Sequence, residues 1–400
     1  MNDNEKNFIN LLSSYLNSDA AELCNGDWKE IFQLASIHNL GGVIYAAVNG
    51  KDICSSEEVR KKLESVFIST IRYSVVQEAV LNSIIKILNK NKIRHILFKG
   101  SVLKNYYNDK ELRTMGDLDI IIDIENQNIV HTMLVENGFV FDEMASHKAV
   151  RNYSKNGVCI EVHTQIIDKN LFDDIDYVSY FSDNFKNAVL IKDYSYEFNY
   201  EHHFVYLMVH MAKHFKFSGC GVRMILDIAF FVRKLHDVID WECVERELTH
   251  LGLDKFAANI FELCSNWFKT DIPILNYELD NGKLSTVEEY ILDGGVFGYN
   301  GKNVDAIRID KNNGSLPERF KNMLKIIFPS YEQLKLRYVW FENTPKYMLP
   351  LGWIRFWWFR IVKNKENSLE RIRNAFASSE DASLHYELLS IVGLKGKKDK

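Results

Sequence analysis

The segment DLDIIID, Asp117 to Asp123, constrains the fold more than any other stretch of the chain. Side chains on a β-strand alternate between faces. Asp117 and Asp119 therefore share one face, while Leu118, Ile120 and Ile122 share the other and require cover by helices. Two carboxylates this close repel each other, and the pair is costly unless cations neutralise it. Hard divalent ions take oxygen ligands readily and would do so.

The surroundings of this strand read as a small sheet with helices. IRHILF, before it, reads as a short strand, followed by KGS and a helix from about Ser101 to Tyr107. A helix from about Asn126 to Asn137 ends at Gly138, a residue suited to a C-cap. FVFDEM, HKAVRNYS and VCIEVHT read as further strands. Residues 1–90 read as helical, with a long amphipathic helix over about Glu57 to Asn89. HHFVYLMVHMAKHF, VRMILDIAFFVRKL and IDWECVERELTHLGL mark helices within 196–270. The interval 271–310 reads as irregular and rich in Gly and Asn, and 316–396 as helical. All five prolines lie from Pro273 onward, a shift in composition that sets the C-terminal part apart. The expected architecture is α+β: a small mixed-sheet core over 91–195, flanked by helical domains at 1–90 and 196–270, with 271–400 as an irregular then helical end.

Gly100 and Ser101 stand where a strand gives way to a helix. Glycine lets backbone approach a ligand closely, and the serine suits a cap or an anion contact at the helix start. In VCIEVHT, Cys159, Glu161 and His163 share one face. If this strand lies beside DLDIIID, Glu161 joins the two aspartates. Three carboxylates around divalent ions beside a phosphate cradle are what in-line phosphoryl or nucleotidyl transfer requires.

FKGSVLKNYY, LRTMGDLDIII and IEVH together resemble the bacterial uncharacterised nucleotidyltransferases of the DNA polymerase β-type superfamily. WKEIFQLASIHNLGGVIY, HMAKH with VRMILDIA, and FPSYEQLKLRY resemble the same group outside the core. The resemblance implies a nucleotidyltransferase core using Mg²⁺ or Mn²⁺, with an NTP as substrate. It makes Asp117, Asp119 and Glu161 the metal ligands and catalytic residues, with Glu161 assisting deprotonation of the acceptor. It makes Gly100 and Ser101 phosphate-binding. Two features depart from the superfamily pattern: 15 residues separate Ser101 from Asp117, and the third carboxylate is Glu rather than Asp.

Around this motif, Lys99, Lys213 and Arg223 are candidate nucleotide contacts, and His163, His210 and His214 candidate lining of an acceptor pocket. Lys99 and Arg113 equally suit a role balancing the aspartates, and Arg223 and Asp227 have the i,i+4 spacing of a helical ion pair. HMAKH lacks the glutamate of a zinc-protease motif. The formal charge of −5 gives no global field for nucleic acid, which favours a small-molecule acceptor over a macromolecule. Six scattered cysteines without a CxxC pair fit reduced thiols, and the start of the chain lacks a secretory pattern, so the expected location is the cytoplasm. No run is long enough for a membrane span. The aromatic, cationic stretch 347–363 suits docking on the protein's own core, a weak membrane-surface contact or a partner. Two further readings stay open: a toxin-like transferase modifying RNA or protein, and an inert nucleotide-binding or scaffold protein.

Overall fold

The computed structural model describes residues 1–167, 170–217, 219–273, 281–295, 324–325, 327–363 and 379–395. Three helices open the chain: α1 (Asp3–Asn17), α2 (Trp28–Ile37) and α3 (Gly41–Val48). Asn2 and Glu5 close a capping box on α1, and Asp27 caps α2, so the polar residues ahead of each apolar run fix where the helices begin. The long α4 (Glu57–Lys90) starts at a Ser56 cap and carries Val80, Leu81, Ile84 and Leu88 on one buried stripe.

The sheet is built from β1 (His95–Leu97), β2 (Asp117–Ile122), β3 (Val140–His147), β4 (Val150–Lys155), β5 (Val158–His163), β6 (Ala188–Lys192) and β7 (Ser195–Phe198). Its order is β3-β4-β5-β2-β1-β7-β6. The pairs β2–β5 and β1–β7 are parallel and the others antiparallel, so the sheet is mixed. Between the strands lie α5 (Gly100–Leu103), α6 (Gln127–Glu136) and α7 (Tyr177–Tyr180). The helix expected over Ser101 to Tyr107 is split, α5 passing into a 3-10 turn over Lys104–Tyr106. The β6–β7 hairpin was not expected from the sequence, and it carries the sheet past residue 195.

After the sheet come α8 (Tyr200–Phe217), α9 (Val222–Leu235), α10 (Trp241–His250) and α11 (Asp254–Phe268). Then follow α12 (Asn281–Gly294), α13 (Tyr331–Arg337), α14 (Leu349–Lys363) and α15 (Ser379–Ile391). The interval 271–310, expected to be irregular, thus contains a helix; most of the rest of it, and all but Lys395 of the basic tail KGKKDK, lie outside the described residues.

The sheet divides two apolar clusters. Leu118, Ile120, Ile122, Ile160 and Val162 pack under α4 and α6. Ile96, Phe98 and Ile121 join a larger cluster with α1–α3 and α8–α11. The fold is α+β with helical flanks, and helices from both ends of the sequence share that larger core, α1 lying against α11. In α14, Trp353, Phe356 and Trp357 pack with Leu334, Trp340 and Phe341 in a small cluster separate from the two larger ones. On the opposite face Leu351, Ile354 and Trp358 are exposed. No helix among the described residues is long and apolar enough to cross a membrane.

Candidate active site

Parallel pairing of β2 with β5 sets Asp119 opposite Glu161 and Asp117 opposite Cys159. The two apolar faces of these strands are committed to α4 and α6, so the carboxylates must point the other way, toward α8 and α9. There they border a cavity of about 760 Å³, which falls in the size range of small-molecule sites. Lys99, Gly100, Asp117, Asp119, Glu161, His163, His210, Lys213, His214 and Arg223 all line it. Among the sequence-derived candidates only Ser101 does not.

Asp119 is the electrostatic centre. Its Oδ1 accepts from Lys99 Nζ at 2.7 Å and from His163 Nε2 at 2.9 Å, and His163 Nε2 lies 3.3 Å from Glu161 Oε2. Burial alone would raise the Asp119 carboxyl, but Lys99 and His163 outweigh it and hold it well below the usual range. Glu161 moves the same way: burial would raise it, but the hydrogen bond and charge of His163 together with the Lys99 charge outweigh burial. Asp117 has no such partner: burial and the charges of Asp119 and Glu161 push it up to about 6. His163 is raised, burial being overcome by its bonds to the two carboxylates. Its Nδ1 is buried and without a hydrogen-bond partner.

Ligand atoms of Asp119, Glu161 and His163 all lie within 4.8 Å of one another, the spacing a shared metal ion needs. The donor set fits a divalent ion. It differs from the set read from the sequence: Asp117 borders the same cavity outside this group, and His163, first read as acceptor lining, stands within it.

The opposite wall carries Lys213 and Arg223 beside two histidines. His210 packs edge-on against His214 at 4.5 Å between ring centres and stacks on Tyr206. Burial lowers both histidines, His214 to about 4, so these rings are neutral at pH 7. Arg223 Nη1 donates to Thr114 O at 3.1 Å and Thr114 Oγ1 at 3.0 Å, while its Nε is buried without a partner.

The i,i+4 pair of Arg223 with Asp227 does not form. Asp227 instead accepts from Arg113 Nη2 at 2.8 Å and Arg113 Nε at 3.2 Å, and from Tyr107 Oη at 2.8 Å. Arg113 therefore balances a carboxylate across the cleft, on α9, rather than those of β2. That bridge ties the loop before β2 to α9 beside the cavity, which both residues line. Gly100 makes room for it: a Cβ there would collide with Arg113 Nη1 and come 2.8 Å from Met115 Cγ. Ser101 does not cap α5; Lys99 occupies that position, and the Ser101 hydroxyl is buried without a hydrogen-bond partner. The role of Asp227 was not legible beforehand, because it depends on a partner more than a hundred residues away.

A mixed sheet here presents adjacent acidic strands to a helix-walled cavity. The family model described as uncharacterised nucleotidyltransferase matches residues 25–269. The chain belongs to that family, which supports a nucleotidyl-transfer role. No curated protein and no solved structure matches the chain.

Proposed function

We propose that the protein is a metal-dependent nucleotidyltransferase of the polymerase β type, moving an NMP from an NTP to a small-molecule acceptor. The observation that carries this reading is the β2–β5 register, which sets Asp119 beside Glu161 with His163 in reach of both. Bound Mg²⁺ or Mn²⁺, held by Asp119 and Glu161 with Asp117 and His163 adjacent, would supply charge neutralisation at the reacting phosphates.

The remaining work falls to the chain. Lys99, Lys213 and Arg223 bind and orient the polyphosphate. An acceptor hydroxyl attacks the α-phosphorus. An O–P bond forms, the α–β bridging P–O bond breaks, and its electron pair leaves with pyrophosphate. Glu161 takes the acceptor's proton. The neutral His210 and His214 line the acceptor side. The bounded cavity and the chain's formal charge of −5 favour a small molecule over nucleic acid there.

The test is incubation with each α-labelled NTP, Mn²⁺ or Mg²⁺, and a fractionated cell extract. Label should enter the small-molecule fraction, stop on addition of EDTA, and fall by about 10³-fold in Asp119→Asn, about 4 kcal/mol of barrier. Label in protein or RNA would move the acceptor to a macromolecule. A folded protein that labels no fraction with any NTP would overturn the reaction itself.

A further inference from the structure

The position a divalent ion would take on Asp119 is already contested by a cation of the chain. Lys99 Nζ sits 2.7 Å from Asp119 Oδ1, and its side chain is only 18% exposed. The backbone is bent to deliver it: Lys99 has φ 51° and ψ −129°, a region that residues with a side chain rarely adopt. The ammonium itself lies over the Phe98 ring, 5.1 Å from its centroid, and interacts with the Tyr206 hydroxyl. Two positive groups held by one buried oxygen repel each other strongly. His163 Nε2 already shares that oxygen, so an ion taking it as well needs the ammonium to move. The same cavity carries phosphate-seeking cations on its far wall, so a polyphosphate lying between the walls is a partner for a displaced lysine.

We propose that Lys99 is a tethered counter-ion that couples polyphosphate binding to metal binding. With the cavity empty, the Lys99 ammonium neutralises Asp119 and keeps a free divalent ion off it. A polyphosphate draws the ammonium away, and the vacated carboxylate oxygen accepts the ion. The coupling rests on the nucleotidyl-transfer reading of the same cavity. By linkage it is reciprocal: each ligand tightens the other by the same factor.

The experiment measures two affinities on full-length wild type, Lys99→Met and Lys99→Arg, with Lys99→Gln in place of Lys99→Met should the latter not fold. One is Mn²⁺ without nucleotide, by paramagnetic resonance of the free ion. The other is inorganic pyrophosphate without metal, by calorimetry in EDTA. In Lys99→Met, Mn²⁺ should bind at least about tenfold more tightly and pyrophosphate at least about tenfold more weakly, while Lys99→Arg stays near wild type. Opposite signs are the signature, since a merely structural lysine would weaken both. Unchanged or weaker Mn²⁺ binding in Lys99→Met overturns the coupling. If the wild type still transfers label from NTP in that case, the reaction stands without it; if no transfer occurs, both fall together.

Discussion

Arg113 and Asp227 show how much one pair of side chains decides. Asp227 is buried and the Arg113 side chain only 10% exposed, and the carboxylate takes two bonds from the guanidinium and one from Tyr107. Removing one member leaves the other charge buried and uncompensated. Arg113→Met should therefore lower unfolding free energy by about 3–5 kcal/mol, read from urea denaturation. Replacing Arg113 and Asp227 together by apolar residues should cost much less, because no lone charge remains. Asp117 and Asp119 illustrate the same rule in the other direction. The residue type is identical and the spacing is two, yet Lys99 and His163 reach only Asp119, so the pair separates into one strongly ionised carboxylate and one pushed up to about 6.

At the scale of elements, β2 is the piece whose sequence and structure agree most closely. Its alternation of carboxylate and aliphatic side chains can satisfy water, cations and core only if the strand is buried on one face, and Leu118, Ile120 and Ile122 are fully buried there. Ile120→Ala should cost about 2–5 kcal/mol in a shift of the denaturation midpoint with unchanged slope, leaving Mn²⁺ binding by the folded protein intact. The β6–β7 hairpin is the counter-case. Val189, Leu190 and Ile191 form an unbroken apolar run on an edge strand and are all exposed. Without alternation there was no period to read, and only the parallel pairing of β7 with β1 assigns the segment to the sheet. In α5, likewise, the serine that suited a cap is buried two residues past the cap position, because the turn at Lys99 starts the helix earlier.

Across the whole molecule, the large helical core imposes a pH dependence. Burial lowers His38 and His202 to about 4 each and His203 to about 3, from an unfolded value of 6.5. Between those values the unfolded chain binds more protons than the folded one. Stability is therefore fully present above pH 6.5 and is lost as pH falls toward 4, at up to about 1.4 kcal/mol per unit for each histidine. Melting temperature should stay level from pH 8 to 7 and drop steeply below about 6.5. A melting temperature that stays flat down to pH 4 would contradict this burial pattern.

The sequence by itself determined the α+β class, the long α4, the acidic face of β2 and its neighbour in VCIEVHT, because hydrophobic periodicity and caps are local properties of the chain. Tertiary structure alone decided that β5 lies parallel to β2 in the register joining Asp119 to Glu161, that His163 comes within reach of both carboxylates, and that Arg113 crosses the cleft to Asp227. Those outcomes depend on which distant segments share a core and on which buried charge meets a partner, and no pattern within a single strand or helix encodes either.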